Sequence, residues 1–187
     1  MRRPDFGVAL LAIGLGTAFV ARDAHALGPV DVEVAGKAGV GTNPGGSPGP
    51  LGFGLGARAG VSLLGLYGGL AFMYYFGESD SITSVKALTY GLEGGFGSKL
   101  LGLVTLRGTV GIGNYTETVD TKVLNVSSSH SSSSLYIEPG VTGLVTLGPL
   151  LVGADANILI LPSRTRIDLR SSTDVAFTMH GQIGVVF

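Results

Sequence analysis

The amino-acid sequence predicts an all-β protein: an eight-stranded antiparallel up-and-down barrel that crosses a membrane with its strands. Three observations support this prediction. Apolar residues alternate with polar or small ones along eight stretches, as they do in strands with one apolar face. Longer and shorter connections alternate between these stretches, and the composition combines little charge with much glycine.

The composition excludes several classes of protein. Only 13% of the 187 residues are charged, about half of the roughly 25% usual in soluble domains, and 32 residues are glycine. A mean hydropathy of +0.46 argues against a disordered chain. The net charge of -1 offers no electrostatic surface for nucleic acid. The absence of cysteine excludes disulfides and thiolate metal sites.

The start of the chain has the three parts of a secretory signal peptide. A basic start at residues 1–3 is followed by an uncharged apolar stretch at 8–21 and by the small-x-small sequence Ala-His-Ala at 24–26. The apolar stretch is shorter than the about 20 residues of a spanning helix. We therefore expect removal of residues 1–26, export of the protein, and one domain of residues 27–187.

The first four alternating stretches are the first four predicted strands. Their apolar residues are, strand by strand, Val30, Val32, Val34, Ala38 and Val40; Leu51, Phe53, Leu55, Ala57, Ala59 and Val61; Leu66, Leu70, Phe72, Tyr74 and Phe76; and Leu88, Tyr90, Leu92 and Phe96. The residues between them are mostly polar or small, although the third stretch has Tyr67, Met73 and Tyr75 there. In a transmembrane barrel the apolar face points to lipid and the other face points into the lumen.

The last four stretches repeat the pattern. Their apolar residues are Val104, Leu106, Val110 and Ile112; Leu135, Ile137, Val141 and Val145; Val152, Ala154, Ala156, Ile158 and Ile160; and Val175, Phe177, Met179, Ile183, Val185 and Phe187. The alternate positions carry residues such as Arg107, Glu138 and Asp155. These charges are expected to face inward, because a charge facing lipid at mid-membrane costs about 2–4 kcal/mol.

The connections alternate in length. Their predicted extents are 42–50, 62–65, 77–86, 97–101, 116–134, 147–150 and 162–173. A transmembrane barrel with both termini in the periplasm has longer loops outside the cell and tight turns inside, beginning with a longer loop after the first strand. The first connection is rich in proline and glycine, and 147–150 reads Leu-Gly-Pro-Leu, as turns do.

A single spanning helix is the alternative for one part of the chain. Between Arg58 and Glu78 lie 19 uncharged residues, which is long enough to cross a membrane. No other stretch could partner such a helix, because charged residues interrupt the apolar alternation elsewhere, namely Lys37, Arg58, Glu93, Arg107, Glu138 and Asp155. The barrel is therefore favoured.

The C-terminal strand resembles that of bacterial outer-membrane β-barrel proteins. Phe187 is the last residue, and Val185, Ile183 and Met179 lie on the same face. The resemblance covers the mature chain, whose size is similar to that of the small eight-stranded OmpA and OmpX type. It implies an outer-membrane location, lipid and lipopolysaccharide as surroundings, and recognition of Met179, Ile183, Val185 and Phe187 by the barrel-assembly machinery.

Aromatic residues occupy outward positions near both ends of the predicted strands. Phe53, Tyr74, Phe76, Tyr90 and Phe177 fall near the longer connections, and Phe96 and Phe187 fall near the opposite end. This is typical of the aromatic girdles of membrane barrels. The alternative is the core of a soluble β-sandwich, but the second face contains too much glycine to form a good solvent-facing surface.

The inward charges predict a paired network inside the barrel. We expect Arg58, Glu93, Arg107 and Glu138 to form it, because an unpaired buried charge is very costly. A gate or a proton path is the alternative interpretation. Inward glycines leave open whether the lumen is closely packed or holds a cavity.

No catalytic, cofactor or metal site is expected. His180 is the inward histidine, and no serine shares its strand face nearby. The sequence His130-Ser131-Ser132 resembles the His-x-Ser pair of lipid A deacylases, which are also barrels, but it lies in a serine run where such spacing is nearly automatic. We therefore find no base held by a third group.

The expected function is that of a monomeric surface protein whose loops, chiefly 116–134 and 162–173, make contacts outside the cell. Arg164, Arg166 and Arg170 in the last loop are candidates for contact with lipopolysaccharide phosphates. The alternative is a narrow porin-like channel or a barrel that transports a small hydrophobic ligand. A lipid A-modifying enzyme is a third, less favoured interpretation, and no nucleic acid partner is expected.

Overall fold

The structure, a computed structural model, describes residues 30–42, 49–100, 103–123, 126–165 and 171–187. In these residues eight antiparallel strands close into one barrel in chain order, and the first strand pairs with the last. The predicted eight-stranded all-β barrel is confirmed. The predicted signal peptide, residues 1–26, lies outside the described residues.

The strands differ in length. They are β1 (Val30–Gly41), β2 (Phe53–Leu63), β3 (Leu66–Tyr75), β4 (Thr83–Leu100), β5 (Val104–Val123), β6 (Val126–Leu147), β7 (Leu150–Thr165) and β8 (Ser171–Val186). We call the end where β1 begins and β8 finishes the turn end, and the opposite end the loop end. Because β4, β5 and β6 are the longest strands, they project beyond β1, β2 and β3 at the loop end.

Two connections at the turn end are as tight as a hairpin allows. Leu64 and Gly65 join β2 to β3 with φ angles of 52° and 87°. Positive φ at both central residues is the geometry of a type I′ turn, which matches the twist of the flanking strands. Gly148, with φ of 61°, precedes Pro149 between β6 and β7. These turns fix the register of the hairpins that they close.

The two faces of each strand differ as the alternation predicts. Leu70, Leu92 and Phe177 are each more than 60% exposed on the outside, whereas Tyr67 is 5% exposed inside. Aromatic rings meet on the outer surface near the loop end, where the centroids of Phe53 and Phe76 lie 6.0 Å apart in a stacked arrangement. The outer surface is therefore an apolar belt that suits lipid. No helix in the described ranges is long and apolar enough to span a membrane.

Four predicted connections overlap strands by four or more residues. β4 includes residues 83–86 and 97–100, which were predicted to lie in the connections 77–86 and 97–101. The other two are predicted longer loops. The segment 116–134 is the upper part of a hairpin, because β5 continues to Val123 and β6 begins at Val126. The serine run, expected in a loop, is a strand in register with β5. The segment 162–173 is likewise mostly strand, since β7 reaches Thr165 and β8 begins at Ser171. The long and short alternation of connections therefore fails between β5 and β6.

The inward glycines make room for large side chains from neighbouring strands. A methyl group on Gly60 would lie 2.5 Å from the ring of Tyr67, and one on Gly54 would lie 2.7 Å from the ring of Tyr75. A methyl group on Gly140 would overlap the side chain of Asn157. At these three positions glycine serves close packing, which answers the question that the composition left open.

Candidate functional site

The barrel interior holds two clusters of buried charged and polar side chains, one above the other. The arginine cluster, nearer the turn end, consists of Glu33, Arg58, Ser62, Tyr67, Glu93 and Arg107. The histidine cluster, nearer the loop end, consists of Lys37, Tyr75, Glu138, Asp155, Asn157, Thr178, His180 and Gln182. The alternation of each strand carries these side chains inward, while their apolar neighbours face out.

Glu33 is the centre of the arginine cluster. Its carboxylate accepts hydrogen bonds from Arg58 Nη2 at 2.7 Å and from Arg107 Nη2 and Nη1 at 2.7 and 3.2 Å. The hydroxyl of Ser62 donates a further hydrogen bond at 2.6 Å. Glu33 is 4% exposed, and Arg58 and Arg107 are buried with it. The carboxylate is therefore paired with two cations at a place where an isolated charge would be unstable.

An aromatic ring supports the two arginines from one side. The guanidinium carbons of Arg107 and Arg58 lie 4.2 and 5.1 Å from the centroid of the Tyr67 ring. Both distances are within the about 6 Å over which a cation interacts with an aromatic face. Tyr67 thus fills the lumen beside Gly60 and holds both cations against Glu33.

The structure brings three of the four predicted network residues together and places the fourth elsewhere. Arg58 Nη1 lies 3.7 Å from Glu93 Oε1, so Arg58 bridges Glu93 and Glu33. Glu138, predicted in the same network, lies in the histidine cluster, where it accepts a hydrogen bond from Thr178 at 2.8 Å. The central residue, Glu33, was not predicted as a member, although its inward position on the first strand was visible in the alternation.

The histidine cluster is built on Asp155. Its carboxylate lies 2.6 Å from His180 Nδ1 and 3.0 Å from Lys37 Nζ. Asn157 and Gln182 donate further hydrogen bonds at 2.7 and 3.3 Å. This cluster was not predicted, although Lys37, Asp155 and His180 all lie at inward positions of the alternation.

The expectation that no base is held by a third group is wrong. His180 lies between Asp155 at Nδ1 and the Tyr75 hydroxyl at Nε2, the latter at 2.8 Å. A carboxylate, an imidazole and a hydroxyl in line resemble the parts of a catalytic triad. However, His180 and Tyr75 are each 1% exposed, and both ring nitrogens of His180 are occupied, Nδ1 by Asp155 and Nε2 by Tyr75. The arrangement fixes the orientation of three side chains inside the barrel.

Apolar side chains close the lumen at the loop end. Leu51, from the segment before β2, is 1% exposed and packs with buried aromatic and aliphatic side chains of other strands, namely Met73, Tyr75, Ala87, Tyr115, Tyr136, Leu159, Leu161 and Ala176. We call this set the apolar cap. It covers the histidine cluster from the loop side, just as the arginine cluster covers it from the turn side.

A cavity of about 650 Å³ opens at the turn end. Its rim carries an ion pair of 2.8 Å between Lys99 and Asp31, and its lining reaches Glu33 and Arg107 of the arginine cluster. These two side chains are buried and paired with each other, so the cavity reaches the arginine cluster from the turn end.

Above the barrel, the projecting sheet of β4, β5 and β6 has hydroxyl groups along its outer face. Thr116 and Thr118 of β5 form hydrogen bonds with Ser133 and Ser131 of β6 at 3.0 and 3.1 Å. His130 pairs in register with Val119 as part of β6. The His-x-Ser spacing therefore lies in a regular strand.

One carboxyl group of this sheet, that of Asp120, has a shifted pKa. Hydrogen bonds from Ser129 and from Lys86, whose Nζ lies 3.4 Å away, hold the pKa of the Asp120 carboxyl below its ordinary value of 3.8. Asp120 is therefore charged at neutral pH and links β4, β5 and β6 across the outer face.

The other predicted residues lie on β7 and β8, at the C-terminus, or outside the described residues. Met179 and Ile183 are each 62% exposed on the outer face of β8, and the backbone of Phe187 pairs with Val32 at 3.0 Å in both directions. Arg164 is part of β7. Arg166 and Arg170 lie outside the described residues. No group of three or more possible metal ligands occurs in the ranges that the structure covers.

Comparison with known proteins supports the fold. No family model matches the sequence, and no curated protein matches it either. Among solved structures, Neisserial surface protein A aligns with a TM-score of 0.51 and 15% identity, over 84% of this chain and 96% of that one. A major outer membrane protein from Thermus thermophilus aligns with a TM-score of 0.62 and 13% identity, over 84% and 99%. The predicted resemblance to small outer-membrane barrels is confirmed at the level of the fold.

Proposed function

We propose that the chain is a small integral outer-membrane barrel that makes contacts outside the cell through the projecting sheet of β4, β5 and β6. The single observation that carries this proposal is the contrast between the two ends. The lumen is filled by paired charges and an apolar cap, whereas β5 and β6 continue as an exposed hairpin beyond the other strands.

The filled lumen argues against the channel and transport alternatives. An eight-stranded barrel is wide enough for its interior to be filled by side chains or to hold one small ligand. Here two polar clusters and the apolar cap occupy the lumen between the turn-end cavity and the loop end. A lipid A-modifying activity would need an accessible base, which His180 does not provide because it is 1% exposed.

The location and the partners are parts of the same proposal. The apolar belt and its aromatic residues suit a lipid bilayer, and the resemblance to outer-membrane barrels suggests which one. In this proposal residues 1–26 are cleaved, and the outward row Met179, Ile183, Val185 and Phe187 is read by the barrel-assembly machinery. Arg164, Arg166 and Arg170 contact lipopolysaccharide phosphates, and the barrel is a monomer in the membrane.

The function is tested by shortening the hairpin. Glu117 and Ser132 are partners in register, so replacing residues 118–131 with Asn-Gly joins them by a two-residue turn that hairpins favour. Cells that display the full chain should adhere to surfaces coated with proteins or polysaccharides, and cells with the shortened hairpin should not.

Folding must be controlled in this experiment. Both forms should shift in gel migration between heated and unheated outer-membrane fractions, because the barrel below the hairpin is unchanged. Equal adhesion by both forms and by cells without the protein would contradict a surface-contact function. Absence of any heat-dependent shift in the full chain would contradict the membrane barrel itself.

A further inference from the structure

One edge of the projecting sheet is closed by the chain itself. Beside β4, Val85 donates its N–H to the carbonyl of Glu78 at 3.0 Å, and Asp80 donates to the carbonyl of Thr83 at 2.7 Å. Ser79 and Ser84 form an isolated bridge next to them. The segment before β4 thus folds back and satisfies the backbone groups on this side.

The opposite edge, along β6, has no such cover in the described residues. The pairing between β6 and β7 is continuous from the turn end to Gly140 and Asn157, and Ile137 and Ile160 form its last pair towards the loop end. Beyond that pair β7 carries Pro162, which has no N–H to donate, and an irregular register with β8 between Leu161 and Arg164. The serines of β6 from Ser128 to Ser133 are exposed.

The register identifies which backbone groups point to this edge. Thr146 of β6 donates its N–H to Leu103, on the β5 side, and pairing with β5 is continuous from there to the tip of the hairpin. Successive residues of a strand direct their N–H groups to opposite sides. Even-numbered residues of β6 therefore face β5, and Ser129, Ser131 and Ser133 present their N–H and C=O groups to the open edge.

Within the ranges that the structure describes, this edge lacks the features by which proteins prevent strand addition. Natural edge strands are protected by charged side chains, proline, bulges or covering segments. Between Ser128 and Ser134 the chain has no proline, lysine, arginine or acidic residue, and its pairing with β5 has no bulge. Its small side chains leave the backbone accessible from both faces of the sheet.

We propose that β6 between Ser128 and Ser134 is a docking edge, to which a partner polypeptide adds an extended segment as an antiparallel strand. Main-chain hydrogen bonds to Ser129, Ser131 and Ser133 provide the affinity, as in other cases of strand addition. The inference rests on the proposed surface-contact function and names the kind of partner that it requires.

A partner protein is favoured over a second copy of this chain because of orientation. All copies in one membrane point the same way, so two β6 edges would meet as parallel strands, the less stable pairing. A segment of another protein is free to approach in the antiparallel direction.

The test measures amide hydrogen exchange by NMR on the full chain in lipid nanodiscs. The probe is a short synthetic peptide of alternating threonine and valine with lysine at both ends, and its control has a central proline. In the free protein the amides of Ser129, Ser131 and Ser133 should exchange fast, and those of His130 and Ser132 slowly. The probe should slow the three fast amides about tenfold or more, and the proline peptide should not.

Two substitutions at one position separate the backbone from the side chain. Ser131→Ala removes the hydroxyl but keeps the N–H, so Ser129 and Ser133 should still be slowed by the probe. Ser131→Pro removes the edge-facing N–H, a change that edge strands tolerate. In this variant the probe should no longer slow exchange of the Ser129 and Ser133 amides. If Ser131→Pro disturbs the slow amides of His130 and Ser132, Ser133→Pro provides the same test.

Three results would overturn the docking edge. The first is that the probe does not slow exchange of the three edge amides in the wild-type chain. The second is that it slows exchange equally in Ser131→Pro. The third is that the amides of Ser129, Ser131 and Ser133 already exchange slowly in the free protein, because the chain itself or a second copy covers them. The surface-contact function fails separately, since it depends on adhesion of cells with the full and shortened hairpins.

Discussion

At the residue scale, the charge on Glu33 depends on two arginines from different strands. Arg58 and Arg107 both contact its carboxylate at 2.7 Å, and all three side chains are nearly inaccessible to water. Removing one partner of a buried ion pair leaves an uncompensated charge, which costs about 3–5 kcal/mol. The exposed pair of Lys99 and Asp31 is a natural comparison, since such pairs contribute about 0–1 kcal/mol.

Arg107→Ala should therefore lower the unfolding temperature in detergent clearly, whereas Lys99→Ala should change it little. The measurement is thermal unfolding followed by circular dichroism or by the heat-dependent gel shift. Equal effects of the two substitutions would show that the arginine cluster contributes no more than a surface contact.

Gly60 and Gly68 lie on adjacent strands and allow a closely packed position to be compared with an open one. Gly60 faces inward, where a methyl group would meet the Tyr67 ring at 2.5 Å, and Gly68 faces outward with nothing within 4 Å. Gly60→Ala should lower the free energy of unfolding by about 1–3 kcal/mol, as overpacking does. Gly68→Ala should stay within about 0.5 kcal/mol of the wild type. Denaturant titration in detergent measures both, and a similar result for the two would argue that the lumen beside Tyr67 is loose.

At the element scale, the upper hairpin of β5 and β6 shows why its strands were not predicted. Period-two alternation is visible only where one face is apolar, and residues 127–134 are seven serines and one histidine. Backbone pairing with β5 does not depend on side-chain hydrophobicity, so the ladder continues to Val123 and Val126. The lower parts of the same strands were predicted because lipid selects apolar residues at alternate positions there.

The Asp120 carboxyl, on the outer face of this hairpin, has a shifted pKa that a titration can measure. The pKa of Asp120 is depressed by hydrogen bonds from Ser129 and Lys86. A depressed carboxyl pKa contributes stability above the unfolded value of 3.8, and this contribution is lost as the pH falls through the folded pKa. An NMR titration should therefore place the midpoint of Asp120 below 3.8, and Ser129→Ala should raise it. A midpoint at or above the ordinary value would contradict the contact between β5 and β6 on this face.

At the scale of the whole molecule, the outer surface was more predictable from sequence than the interior. Lipid constrains every outward position in the same way, so counting alternations gives the strand number and the faces. Contacts across the lumen depend instead on the tilt and stagger of the closed barrel. Arg107 of β5 therefore reaches Glu33 of β1 across the lumen. Glu138 lies on β6, the strand next to β5, but belongs to the other cluster.

The order of the arginine cluster, the histidine cluster and the apolar cap along the lumen predicts that the barrel does not conduct ions. An ion entering from the turn-end cavity meets the Arg107–Glu33 pair, then the side chains around Asp155, and then the apolar cap, which includes Leu51. Purified protein in a planar bilayer should give no discrete conductance steps, whereas a sixteen-stranded porin, whose lumen is an aqueous channel, should give them in the same membrane. Steps from this chain would require at least three layers of packed side chains to move together, and would therefore support the transport alternative over a contact function.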